Sequence, residues 1–245
     1  MNDYTKMIND LKSIGIELSD HQLEQFDKYY NLLVKWNEVM NLTAITEFND
    51  VCQLHFVDSI MAAPYFDFTK KGLTLIDVGT GAGFPGIPLK IVFPQLKVTL
   101  LDSLNKRLNF LNEVIQELEL TQDGGSIETV HGRAEDYSKS KGGVLREKFD
   151  IGTARAVANM STLSEYILPY VKVGGHFVAY KSNKINDEID LSKIAIKTLG
   201  GSIKSVNNTF LPGSDIERSI VIINKSKPTP KLYPRKAGLP SKQPL

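Results

Sequence analysis

Asp77, Gly79, Gly81 and Gly83 alternate along one short stretch, and a second acid, Asp102, closes the apolar run that follows. Leu73, Leu75, Ile76 and Val78 lead into the glycines, and Phe84-Pro85-Gly86-Ile87-Pro88 continues them. The order is strand, Gly-rich turn, helix, strand, acid. Glycines at such a turn admit backbone angles closed to other residues and let the chain approach a ligand closely. An acid at the tip of the next parallel strand is placed to accept hydrogen bonds from two ribose hydroxyls. A ligand carrying an adenosine is expected, with Asp102 on its ribose.

Two ligands fit this plan. Gly81-Ala82-Gly83-Phe84-Pro85-Gly86 satisfies the dinucleotide fingerprint literally, so a nicotinamide or flavin enzyme is one reading. That fingerprint rests a pyrophosphate on a helix N-terminus with free amides, whereas Pro85 removes a donor inside the turn and Phe84 adds bulk. Asp77-x-Gly79-x-Gly81-x-Gly83, with the acid inside the strand, instead resembles motif I of the S-adenosylmethionine-dependent methyltransferases. A purely structural turn is the third option. If the turn serves a ligand, a side chain at Gly81 would fill the space of close approach.

The elements that must position these residues follow from periodicity. Residues 72–224 alternate strands and helices: a helix over 106–120, a strand at 127–130 ending in His131-Gly132-Arg133-Ala134-Glu135, and a strand from Phe149 to Ala154-Arg155-Ala156. A helix through Leu163 and Ile167 and a turn at Lys172-Val173-Gly174-Gly175 come next, then a strand at 176–180. A helix over 184–199 and two late strands complete the series. Alternation implies an α/β, Rossmann-like fold with a doubly wound, mainly parallel sheet. Ligands of such sheets sit outside the carboxyl ends of the strands, so Gly79, Asp102, Ala134, Glu135 and Arg155 are expected to converge on one crevice. Glu135 reads equally as a helix-end charge, and Arg155 as a surface ion pair.

Residues 1–71 read as a small N-terminal helical extension. Ser19-x-x-Gln22 is a capping box, followed by Leu23, Phe26, Tyr30 and Leu33 at helical spacing. Thr46 is the expected cap of the next helix, whose apolar face is Val51, Leu54, Val57 and Ile60 or Met61. Trp36-Asn37, Asn41-Leu42-Thr43 and His55-x-x-Asp58-Ser59 either cap and pair locally or face a substrate.

The chain of 245 residues carries formal charge +1, but unevenly: six of its 29 Lys/Arg fall in 225–245, which holds no acid, leaving 23 basic against 28 acidic side chains elsewhere. Prolines at 228, 230, 234, 240 and 244 keep that tail extended, and with Tyr233 it reads as a basic strap for RNA. One cysteine, Cys52, excludes an internal disulfide and Cys-x-x-Cys chemistry. The four histidines stand in no ligand spacing, so no metal is expected. Without an uninterrupted apolar segment no membrane span is expected, and the protein reads as cytoplasmic.

Missing motifs narrow the chemistry. The Asn/Asp-Pro-Pro-aromatic loop used for amino-group methylation is replaced by Thr153-Ala154-Arg155-Ala156, and Cys52 lies outside the cofactor domain, so cytosine C5 addition lacks its nucleophile. A ring nitrogen with a free lone pair, such as guanine N7, needs neither nucleophile nor base, and positioning supplies the catalysis.

Together, Trp36-Asn37, Asn41-Leu42-Thr43, His55-x-x-Asp58-Ser59, the Asp77-to-Gly86 turn, Leu101-Asp102-Ser103-x-x-Lys106-Arg107, Arg133-Ala134-Glu135, Ala154-Arg155-Ala156-Val157 and Tyr233-Pro234-Arg235-Lys236-x-Gly238 resemble a known family. They are similar in order and spacing to the bacterial small-subunit ribosomal RNA guanine-N7 methyltransferases, the glucose-inhibited division protein B family. The resemblance implies methyl transfer from S-adenosyl-L-methionine to N7 of a guanine in the 530 loop of 16S rRNA, with the small ribosomal subunit or an assembly intermediate as partner. It places Gly79, Phe84, Ala134, Glu135 and Arg155 at the cofactor and hands over no catalytic base. Thr80 stands where many relatives have Ser or Ala. The expected domains are 1–71, helical; 72–224, methyltransferase; and 225–245, basic tail. A non-catalytic rRNA-binding assembly factor is the alternative of another class.

Overall fold

The protein is described by a computed structural model covering residues 2–122, 124–182 and 185–245. Its centre is a seven-stranded sheet of order β3-β2-β1-β4-β5-β7-β6. The strands are β1 (Thr74–Val78), β2 (Lys97–Asp102), β3 (Ser126–His131), β4 (Phe149–Arg155), β5 (Val171–Ser182), β6 (Gly201–Phe210) and β7 (Glu217–Lys225). β1 to β5 pair in parallel, while β7 runs antiparallel between β5 and β6. The strand order reverses between β1 and β4, and the crevice forms at their carboxyl ends. Because β7 is antiparallel, its amino end also lies at that edge, with Arg218 opposite Ser182.

The expected α/β alternation is met by α5 (Gly86–Val92), α6 (Asn105–Glu117), α7 (Met160–Ile167) and α8 (Asn186–Thr198). The expected start of the last helix at Lys184 lies outside the described residues. The turn expected at 172–175 is a bulge inside β5. Phe149 pairs with Val171 and Ile151 with His176, and Gly174 takes φ 88° within the extra length.

In front of the sheet lie α1 (Thr5–Ser13), α2 (Asp20–Met40), α3 (Phe48–Val51), a π-helical turn at Cys52–Val57 and α4 (Asp58–Ile60). Ser19 and Gln22 form the expected capping box of α2, and Asn41 ends it in a left-handed conformation. The buried stripe of α2 is Phe26, Tyr29 and Leu33; Tyr29 displaces Tyr30 because its hydroxyl reaches under the glycine turn to donate to Ala82 O at 2.5 Å. The expected Thr46 cap is not formed. Glu47 is the N-cap residue of α3, without a side-chain bond, while Thr46 offers its carbonyl to Tyr30. α1 escaped the periodicity because only Met7 and Leu11 of its apolar residues are fully buried. The helices share one apolar cluster with a face of the sheet, running from Tyr4 and Phe26 through Leu75 and Leu100 to Ile222.

The C-terminal segment departs from the expected strap. Lys225 ends β7 with its ammonium buried against Leu168 O, Thr229 Oγ1 and Glu147, and burial lowers its pKa to about 8. Arg146 binds the carbonyls of Thr229, Pro230 and Tyr233. Arg235 pairs at 2.7 Å with Glu165, which is fully buried. α9 (Leu239–Lys242) then packs on α7, where Thr162 donates to Pro240 O. The prolines did not hold the whole segment extended: it turns at Pro230 and Lys236 and forms α9, and its free carbonyls meet Arg146 on the core.

Candidate active site

The glycine turn is positioned from beneath by Asp77. Its Oδ2 accepts from Thr80 Oγ1 at 2.7 Å and from Gly86 N at 2.9 Å. Burial raises its carboxyl pKa to about 6, and Oδ1 has no partner among the described residues. A side chain at Gly86 would collide with Leu100 and with this carboxylate. Gly79 and Gly81 take φ of 72° and 62°, which side chains disfavour. A Cβ at Gly81 would meet nothing closer than 4.0 Å, so its surroundings are open.

Two cavities meet at the exit of β4, where Ala156 lines both. The first, of about 770 Å³, is lined by Gly79, Asp102, Ala134 and Glu135, and is closed by Tyr166, Gly238 and Ser241. Asp102 is buried at the tip of β2, its Oδ2 accepting from Gly81 N at 2.9 Å and its Oδ1 from Leu104 N at 2.9 Å. Arg107 approaches Oδ2 at 3.4 Å from a half-exposed position. A carboxylate has about four acceptor sites, so a vicinal diol fits here if the weak Arg107 contact is given up. Glu135 Oε1 accepts from Gly238 N at 2.8 Å. Glu135, read equally as a helix-end charge or a ligand contact, anchors the C-terminal segment as a wall of the cavity.

The second cavity, of about 380 Å³, is lined by His55, Asp58, Arg155, Tyr180, Lys181 and Arg218 among others. Here the structure places Arg155, expected at the cofactor, over Phe84, which lines neither cavity. Arg155 NH1 donates to Asp58 Oδ2 at 2.7 Å and to Leu54 O at 3.0 Å, and its guanidinium lies 5.0 Å from the centre of the Phe84 ring. Phe84 in turn stacks on His55, 4.5 Å between centres. Arg218 Nε donates to the other Asp58 oxygen at 2.7 Å. One buried carboxylate thus holds two guanidiniums, leaving the wall with one net positive charge. Burial, then Arg155, lowers the His55 pKa to about 4, so the ring is neutral near pH 7. Its Nε2 meets Thr43 Oγ1 at 2.8 Å, and Thr43 N donates to Asn37 Oδ1. Asn37, Thr43 and His55 therefore pair locally, as one of the two readings weighed for them had it, while His55 also lines the second cavity. Trp36 lies away from both cavities, donating to Glu113 and packing on Phe110.

The dinucleotide reading is disfavoured by bonding as well as by Pro85. The Gly81 and Gly86 amides are already spent on Asp102 and Asp77, and a pyrophosphate site needs such amides free. Cys52 is buried with its thiol pKa pushed up to about 12 by burial, which removes it as a nucleophile. Sequence reasoning missed Arg218, Tyr180 and Lys181. The last two lie at the carboxyl end of β5 and carried the strand-end signal; Arg218 lies at the start of β7, and only the reversed direction of that strand brings it to the site. Among the described residues, no group of three or more His, Cys, Asp or Glu could hold a metal ion, and no helix is long and apolar enough to cross a membrane.

Comparisons with known proteins agree with this architecture. Among solved structures, TYW2 of P. horikoshii in complex with MeSAdo aligns with a TM-score of 0.53 at 14% identity, covering 69% of this chain and 62% of that one. TYW2 of M. jannaschii in complex with AdoMet gives 0.52 at 13% identity, covering 69% and 76%. At such identities the likeness shows the fold alone. Curated relatives are much nearer. Ribosomal RNA small subunit methyltransferase G of Lachnoclostridium phytofermentans is 51% identical over 245 residues, 100% of this chain and 98% of that protein. Its namesake in Exiguobacterium sibiricum is 54% identical over 240 residues, 98% of each. With the family model for rRNA small subunit methyltransferase G matching residues 22–220, the chain belongs to that methyltransferase family.

Proposed function

We propose that this chain transfers a methyl group from S-adenosyl-L-methionine to N7 of a guanine in the 530 loop of 16S rRNA, acting on the small ribosomal subunit or its assembly intermediate in the cytoplasm. The observation that carries the reading is the junction of two unlike cavities at Ala156, one with buried carboxylates and glycine backbone, the other with two arginines held by one carboxylate. The first fits the cofactor. Its volume suits a ligand of that size, Asp102 retains acceptor capacity for the ribose, and Gly79 and Gly81 leave backbone exposed for close approach. Ala134 and Glu135 complete that wall, and Phe84 supports it from the side of the second cavity. When bound, S-adenosyl-L-methionine supplies an electrophilic methyl group on a sulfonium.

The remaining work belongs to the chain. Guanine N7 carries its own lone pair, so no residue has to remove a proton, and both nitrogens of the neutral His55 ring already have neighbours. Arg155 is fixed by Asp58, Leu54 O and Phe84, which makes it a rigid edge against which a base is oriented. The excess positive charge of the Asp58, Arg155 and Arg218 group attracts RNA phosphate. Division of labour follows the proposed domains: 72–224 builds the cofactor cavity, 1–71 supplies His55 and Asp58, and 225–245 closes the cofactor cavity.

Methyl incorporation into small subunits from a strain lacking this protein, followed by mapping of the modified base, tests the reading. Modification elsewhere than at N7 of a 530-loop guanine would overturn it. Parallel assays on naked RNA and on assembled subunits identify the substrate form.

A further inference from the structure

A third cavity, of about 470 Å³, lies between the start of α8 and the β6–β7 hairpin, and it shares Arg218 with the second. Phe210 stands at the end of β6 with 58% of its surface exposed, directly opposite Glu217 on β7. Two residues back, Asn208 is opposite Ser219. Opposed and alternate positions of an antiparallel pair share a face, so the aromatic ring, the carboxylate and the amide are presented together. The Ser219 hydroxyl donates to Asn208 Oδ1 at 2.7 Å, which fixes the amide and leaves its Nδ2 as the donor. Among the described residues, neither that nitrogen nor the Glu217 carboxylate has a hydrogen-bond partner. The hairpin is held from beneath: Leu211 is fully buried, Leu211 N donates to Ile216 O, and Gln53 Nε2 donates to Pro212 O.

Resting on the function proposed above, we propose that this cavity holds a second unpaired nucleobase of the RNA, one that flanks the methyl acceptor and bears an exocyclic amino group. Phe210 offers the stacking face that every base can use. Glu217 accepts from the amino group and Asn208 Nδ2 donates to the neighbouring ring acceptor, a pairing that follows the hydrogen-bond code of base edges. In the same pose uracil would turn its O4 toward the carboxylate, and it could pair only by shifting along its edge to place N3–H on Glu217. Continuity through Arg218 and a polar lining select a nucleotide over an apolar peptide.

The test uses the full chain and the variants Phe210→Ala and Glu217→Gln, both at exposed positions. Binding and methylation of small-subunit RNA are measured, with the bases flanking the methylated guanine replaced one at a time by uracil. Phe210→Ala is expected to weaken RNA binding and raise its KM roughly 5- to 100-fold, with S-adenosylhomocysteine affinity unchanged. One flanking uracil is expected to impair the wild type and to impair Glu217→Gln much less, since a carboxamide can donate to the uracil oxygen. Unchanged RNA affinity in Phe210→Ala, or equal sensitivity of both proteins to every uracil, would overturn the subsite. So would a loss confined to protein-containing subunits, which would assign the cavity to a ribosomal protein. A wild type that binds RNA through Phe210 but transfers no methyl would overturn the function and leave the subsite standing.

Discussion

The two cavities that meet at Ala156 are built by different means. The first is made of consecutive strand exits, with Asp102 bonded to the amides of Leu104 and Gly81, and is closed by the C-terminal segment, whose Gly238 amide is held by Glu135. The second is a long-range assembly: Asp58 binds Arg155 and Arg218, which lie on β4 and β7. The first cavity therefore depends on the strand exits and the C-terminal segment, the second on the N-terminal helices, β4 and β7.

Variants that strike one cavity and spare the other can break this comparison. The largest effect is expected at Arg235, which belongs to the first cavity only through the segment it anchors. Arg235→Met leaves Glu165 buried without its cation, at a cost of about 3–5 kcal/mol, seen as a lower urea midpoint, and it weakens S-adenosylhomocysteine binding because Gly238 and Ser241 are released. Full cofactor affinity in a folded variant would show that the C-terminal wall is incidental.

Next in size, Arg155→Ala should lower kcat/KM for RNA at least about 100-fold, equivalent to about 2.7 kcal/mol. Cofactor affinity by calorimetry should stay within about two-fold, as for independent sites. A large loss of cofactor binding instead would move Arg155 to the first cavity. Asp102→Ala should do the reverse, costing cofactor affinity about 1.5–3 kcal/mol for a charged hydrogen bond with RNA affinity kept. Equal losses of both ligands would merge the two cavities into one.

The smallest effect concerns pH. The His55 pKa is lowered to about 4 from 6.5, so the unfolded chain binds the proton more tightly. The stability it contributes is present above pH 6.5 and is lost as pH falls toward 4. Asp77 acts oppositely: with its pKa raised to about 6 from 3.8, its contribution is full below 3.8 and is lost as pH rises through 6. Between pH 7 and pH 5, His55→Phe should therefore lose about 2 kcal/mol less stability than the wild type. Parallel urea titrations of the two proteins at both pH values check this. Identical slopes would mean that His55 is solvated and that the second cavity is wetter than its bonding indicates.

The alternation of β1 to β5 with their helices was legible because each element's apolar period is its own, and the capping box of α2 because both partners lie within one turn. Asp102 and the glycine turn were legible for the same reason: spacing along a β-α-β unit fixes their geometry. Phe84 and Arg155 were singled out in the sequence, yet their packing on each other and on the N-terminal helices was not readable. That depends on the ring stacking with His55 of the π-helical turn and the ion pair with Asp58 at the start of α4.

By itself the sequence determined the sheet, the crevice at its carboxyl edge and the acids placed there, since these follow from chain direction and side-chain period. Tertiary structure alone decided that β7 runs backward and brings Arg218 to the crevice. It also decided that one buried carboxylate gathers two arginines, and that the basic tail spends Lys225 and Arg235 on the core. The reason is desolvation: a charge leaves water only where a partner waits, and a partner far away in sequence becomes visible only after the chain has folded.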